Sequence, residues 1–116
     1  MRPIPSKMRQ ELEQLPRMAR CTLAPFQSLY GACSGRIRNP EWHHVWTYGG
    51  PQINEIWAIL AGCTHHHEQV KKDKKVKEAF ERISLELATE KDLEKYPKKD
   101  WRQIKRYLNI WERKSQ

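Results

Sequence analysis

All five histidines of this 116-residue chain lie in two short clusters, His43-His44 and His65-His66-His67. Imidazole is the commonest nitrogen ligand for transition metals, and it is the side chain best able to act as a base near neutral pH. Neighbours in a strand point to opposite sides, so one histidine of a His-His pair can hold a metal while the other activates water. The clustering predicts a hydrolytic metal site, and the alternative is a set of ordinary surface or core histidines.

The chain also has three cysteines, Cys21, Cys33 and Cys63. An odd number cannot form a complete set of disulfides, and thiols beside histidines in a reducing compartment more often bind metal. The cysteines are therefore predicted to be metal ligands. The alternative is three buried, reduced thiols that pack as small apolar groups.

Four features in order resemble the HNH (ββα-metal) nuclease family, including small members encoded by bacteriophages. They are the run EWHHV at 41–45, the Gly-Gly turn at 49–50, Asn54, and the run CTHHH at 63–67. In that family a β-hairpin and one helix grip a single divalent cation. The resemblance covers about residues 20–72 and implies an α+β fold built on such a unit.

The resemblance also implies a role for each residue that matches the motif. His44 is the general base, and Asn54 ties the hairpin loop to it, although an asparagine there can also simply cap a turn. His43 and His67 ligate the catalytic cation, which is Mg²⁺, Mn²⁺, Ni²⁺ or Zn²⁺. The interval of 23 positions from His44 to His67 suits the family's span.

Many family members carry a zinc knuckle whose last cysteine directly precedes the helix histidine. The nearest counterpart here implies a structural Zn²⁺ site of Cys₃His type, formed by Cys21, Cys33, Cys63 and His66, all acceptable ligands for tetrahedral zinc. Cys21 and Cys33 lie 12 positions apart, which is wider than the usual knuckle spacing. Which histidine of the triplet binds which metal stays open.

The formal net charge of +8 makes a phosphate backbone the obvious acidic partner. Basic residues that flank the histidines in sequence are candidates for DNA contact. They are Arg36, Arg38, Lys71, Lys72, Lys74 and Lys75. A solvated helix face is the alternative for the lysine run.

These features predict a metal-dependent DNA endonuclease that hydrolyses phosphodiester bonds. The leading alternative is a non-catalytic, metal-stabilised module that binds DNA or protein, such as a phage-encoded inhibitor or a recombination accessory. A third hypothesis is a metal-stabilised scaffold that binds a phage or host protein through its C-terminal helices. Both a monomer and a homodimer are compatible with the sequence.

The elements that must position the site follow from local patterns. Ser6 is predicted to be the N-cap of a first helix. The prolines and glycines of the segment 21–40 predict a loop, which carries Cys21 and Cys33. Residues 36–48 favour a β-ribbon that turns at 39–40, and the apolar run 57–60 favours a second strand or a buried turn. Thr64 is predicted to cap the helix that carries the histidine triplet.

Two amphipathic helices are predicted to complete the chain. Their apolar stripes are Val76, Phe80, Ile83 and Leu87, then Trp101, Ile104, Leu108 and Trp111. Between them, Thr89 and Asp92 have the spacing of a capping box, and Asp100 is predicted to cap the last helix.

The chain is predicted to form one domain over 1–116, with the metal unit at 20–72 and a helical extension at 73–116. Hydrophobic residues make up 38% and charged residues 31%, a balance typical of a globular domain. No stretch has the length of a membrane span or the pattern of a signal peptide, which predicts no membrane partner and a cytoplasmic location.

Overall fold

The computed structural model describes residues 4–33 and 41–110. Its N-terminal part contains helix α1 (Ser6–Gln14), two 3₁₀ turns (Pro16–Ala19 and Ala24–Phe26) and the short helix α2 (Gln27–Tyr30). Strands β1 (Glu41–His44) and β2 (Ile59–Gly62) and helix α3 (Thr64–Lys72) follow. The chain continues with α4 (Lys74–Leu87), α5 (Glu90–Glu94) and α6 (Trp101–Tyr107). The predicted α+β class is confirmed.

The two strands pair antiparallel, with His43 opposite Leu60 and His44 opposite Ile59. All four residues of β2 are buried, as expected for an apolar strand covered on both faces. The predicted strand at 57–60 begins only at Ile59, because Ile56–Ala58 forms a 3₁₀ turn. The predicted turn at 39–40 lies outside the described residues.

Two predicted helix starts are wrong by one residue. Cys63 is the N-cap of α3, since its thiol accepts a hydrogen bond from the backbone N–H of His66, and Thr64 is the first helical residue. Pro5 is the N-cap of α1, because its carbonyl accepts from the N–H of Arg9 at 2.9 Å. The shift at α3 means that one cysteine both begins the helix and points its sulfur at the histidine triplet.

The two predicted amphipathic helices are α4 and α6. The second is shorter than its predicted stripe, because α6 ends at Tyr107 with Leu108 as its C-cap, and Trp111 lies outside the described residues. The predicted capping box is present at Thr89 and Asp92, and it begins the additional short helix α5. Asp100 caps α6 by accepting from the N–H of Gln103 at 3.1 Å. Leu87, the last residue of the first predicted stripe, is 43% exposed at the end of α4.

Buried side chains on both faces of the hairpin hold it between the helices. A cluster containing Trp46, Trp57 and Trp101 joins the hairpin loop to α5 and α6. A second cluster, with Leu60 and Phe80, joins β2 to α4 and includes Cys21 and Cys63. The other face of β2, with Ile59 and Ala61, packs against Leu12 of α1 in a third cluster, so both faces of the strand are covered.

Within the described ranges, no helix is long and apolar enough to cross a membrane.

Candidate metal centre and histidine site

Four elements bring three thiols and one imidazole together. Cys21 follows the first 3₁₀ turn, Cys33 follows α2, Cys63 ends the hairpin, and His66 lies in the first turn of α3. Their ligand atoms all lie within 4.8 Å of one another, and Cys33 is the one member that is not fully buried. These are the four residues predicted from the sequence.

The imidazole of His66 is held with one nitrogen toward the sulfurs. Its Nε2–H donates to the carbonyl oxygens of Gly31 at 3.0 Å and Tyr30 at 3.2 Å. Because Nε2 carries the proton, Nδ1 has the lone pair that a metal requires. Backbone carbonyls fix metal-binding histidines in this way in many proteins.

The distances across the group fit a tetrahedral ion. His66 Nδ1 lies 3.2 Å from Cys63 Sγ, 3.5 Å from Cys21 Sγ and 3.6 Å from Cys33 Sγ. Zinc bonds of ~2.3 Å to sulfur and ~2.0 Å to nitrogen give a tetrahedral S···N edge of about 3.5 Å. The group is therefore compatible with a bound metal ion such as zinc.

Metal binding at this group must release protons. Burial, followed by the neighbouring thiols, raises the pKa of Cys33 to about 12, and burial also raises the pKa of Cys21. A thiol binds metal as the thiolate. Without metal these thiols are neutral and pack with the apolar residues around them.

His44 ends strand β1 and is not one of the four residues of the Cys₃His group. Its Nε2–H donates to the Asn54 amide oxygen at 2.8 Å. The oxygen can only accept, so the proton occupies Nε2 and the lone pair is left on Nδ1. The predicted tie between the hairpin loop and His44 is thus present in the geometry.

His43 lies on the opposite side of β1, where its ring is 5.0 Å from that of His67 and 5.3 Å from that of Phe80. Burial, and then the two neighbouring histidines, lowers the pKa of His43 to about 4. The side chain is therefore neutral at neutral pH, which is the form that binds metal.

Glu41 is a member of this histidine site that the sequence analysis did not assign. Its Oε2 lies 3.1 Å from Nδ1 of His67, and both side chains are partly exposed, at 48% and 32%. Residues two apart in a strand share a face, so the signal was present in the run EWHH: Glu41 had to lie on the side of His43.

The candidate DNA contacts divide into three groups. Lys71, Lys72 and Lys75 are exposed around the junction of α3 and α4. Lys74 is also exposed, but its ammonium group lies over the Tyr107 ring and 3.8 Å from a Glu78 oxygen. Arg36 and Arg38 lie outside the described residues.

Comparisons with protein-family models, with curated proteins and with solved structures find no match to this chain.

Proposed function

We propose that this protein is a metal-dependent DNA endonuclease of the HNH type. The observation that carries the proposal is the 2.8 Å hydrogen bond between His44 and Asn54 at the end of a hairpin strand. It leaves the lone pair of His44 on Nδ1, and His44 is next in the chain to His43, whose ring contacts that of His67. A general base needs such a fixed tautomer and an accessible lone pair.

His44 then acts through Nδ1. It takes a proton from water as the water oxygen attacks phosphorus, and the bond from phosphorus to the 3′ oxygen breaks on the opposite side. The proton on Nε2 stays hydrogen-bonded to Asn54, which stabilises the imidazolium that forms. General-base catalysis of this kind contributes roughly 10²- to 10⁴-fold to the rate.

His43 and His67 would hold the catalytic cation. The hydrogen bond from Nδ1–H of His67 to Glu41 leaves Nε2 of that ring free to ligate, and a carboxylate partner is a common way to orient a metal-binding histidine. A bound divalent cation would stabilise the negative charge that develops on the phosphate and on the departing oxygen. Imidazole donors accept Mn²⁺, Ni²⁺ and Zn²⁺ readily, and Mg²⁺ less so.

The Cys₃His group supports the same site as a structural centre. It links Cys63 at the end of β2 to His66 in α3, and His67 follows directly. A zinc ion there would fix the first turn of α3 relative to the hairpin, and with it the position of His67. Structural zinc commonly performs this role in small domains.

DNA binding would use the exposed lysines that follow the histidine triplet in sequence. Lys71, Lys72 and Lys75 lie beyond His67 along α3 and at the start of α4, and Arg36 and Arg38 precede β1 in sequence. Cations that contact phosphates position a protein on DNA without reading its sequence. We therefore propose a nuclease whose affinity for DNA comes mostly from contacts with the phosphate backbone of the DNA.

Incubation of the zinc-loaded protein with supercoiled plasmid tests the proposal. Nicking is expected with added Mn²⁺, Ni²⁺ or Mg²⁺ and not with EDTA. Absence of cleavage with every metal, while the protein still binds duplex DNA, would contradict catalysis and favour the non-catalytic binding module. Absence of both cleavage and binding would favour a protein-binding scaffold.

A further inference from the structure

A hydrogen bond from the C-terminal region reaches the residue next to Asn54 in the hairpin loop. The hydroxyl of Tyr96 donates to Oε1 of Glu55 at 3.0 Å. Glu55 directly follows Asn54, whose amide oxygen accepts from His44. The chain of contacts from Tyr96 to His44 therefore passes through two adjacent residues of the hairpin loop.

The Tyr96 side chain is itself held firmly. Its ring makes edge contacts with Tyr48 at 5.1 Å and with Trp57 at 6.2 Å between centroids. The backbone carbonyl of Tyr96 accepts a hydrogen bond from the indole N–H of Trp101 at 2.9 Å. Nearby in the chain, the backbone N–H of Lys98 donates to the hydroxyl of Tyr48 at 2.9 Å. Aromatic packing and hydrogen bonds thus fix the hydroxyl relative to both ends of the loop.

We propose that Tyr96 is a positioning residue, which sets the orientation of the His44 ring through Glu55 and Asn54. This inference rests on the proposed nuclease function for its effect on rate, but its structural part does not. It gives the helical extension after α4 a role in the chemistry, since a small misplacement of a catalytic group can greatly reduce the rate.

The kinetic test compares two tyrosines that make the same kind of bond. Tyr96→Phe removes the hydroxyl at Glu55, whereas Tyr107→Phe removes the hydroxyl that donates to Glu78 at 2.9 Å, away from the loop. Tyr96→Phe should lower kcat for plasmid nicking by roughly tenfold at unchanged KM, and Tyr107→Phe should leave both unchanged. Glu55→Ala should match Tyr96→Phe, and Glu55→Gln, which keeps an acceptor oxygen, should restore kcat.

An NMR measurement separates this inference from the nuclease proposal. Long-range ¹H–¹⁵N spectra of the zinc-loaded protein, assigned with His44→Ala, report which ring nitrogen carries the proton. Wild type and Tyr107→Phe should show the proton on Nε2 of His44, and Tyr96→Phe a mixture of tautomers. If the tautomer is the same in all three proteins, the inference is overturned even where kcat falls. If wild type does not cut DNA, the nuclease proposal fails and the spectra alone decide the role of Tyr96.

Discussion

Zinc should stabilise the folded protein, because its binding site is part of the buried core. Cys21 and Cys63 belong to the same buried cluster as Leu60 and Phe80, so opening the site opens the core. A ligand that binds only the folded state adds ~2.7 kcal/mol at a free concentration 100 times its Kd. For a domain of this size about 1 kcal/mol corresponds to ~4 °C, which gives a rise in Tm of about 10 °C.

Thermal unfolding followed by circular dichroism, in zinc buffers and in EDTA, measures this effect, and metal analysis gives the stoichiometry. Cys63→Ser should abolish the zinc-dependent rise, because it removes a buried ligand. His65→Ala, which changes an exposed neighbour of His66, should keep it. An equal Tm with and without zinc in the wild type, or an equal rise in both variants, would refute the assignment.

Further predictions concern DNA binding, the core and pH. The double variant Lys72→Glu and Lys75→Glu should weaken duplex binding and reduce the slope of log K against log salt by up to about 0.9 for each lost phosphate contact. Ser84→Ala should cost ~1–3 kcal/mol in urea unfolding, because the indole N–H of Trp46 loses its buried acceptor. Burial and then Glu55 raise the pKa of Tyr96 to about 12, which exceeds the value of ~10 in the unfolded chain. The neutral hydroxyl therefore stabilises the fold fully below about pH 10, and this stabilisation is lost as the pH rises toward 12. Tyr96→Phe, which has no hydroxyl to ionise, should not show this loss.

Each of these predictions has a matched control. Lys91→Glu changes an exposed lysine in α5 and should leave most of the DNA affinity. If it weakens DNA binding as much as the double variant does, Lys72 and Lys75 do not form a local contact with DNA. Ser28→Ala changes an exposed serine, and an unfolding free energy of Ser84→Ala no lower than that of Ser28→Ala would contradict the hydrogen-bond account. Parallel stability profiles of wild type and Tyr96→Phe between pH 9 and 12 would contradict the raised pKa.

The composition of the metal centre was predictable because it depends on residue chemistry. Few roles suit three cysteines and an adjacent histidine, and the four predicted side chains do converge. The sequence could not indicate that His66 would present Nδ1. That choice is made by the carbonyls of Tyr30 and Gly31, which a tertiary contact brings to the ring.

Contacts distant in sequence account for most of what was missed. The bond between Tyr96 and Glu55 joins residues 41 positions apart, and no local pattern encodes it. The start of α3 was misplaced because Thr64 is a common N-cap residue, whereas the Cys63 thiol accepts the capping hydrogen bond here. By contrast, the helix caps at Thr89 and Asp100 depend on neighbours three residues away, and they were predicted correctly.

The most direct test of the nuclease proposal is the rate at which His44→Ala nicks supercoiled plasmid, relative to wild type under the same metal conditions. We expect a loss of roughly 10²- to 10⁴-fold, with an unchanged zinc content, since His44 lies outside the Cys₃His group. A variant that nicks at the wild-type rate would contradict the role of His44 as the base.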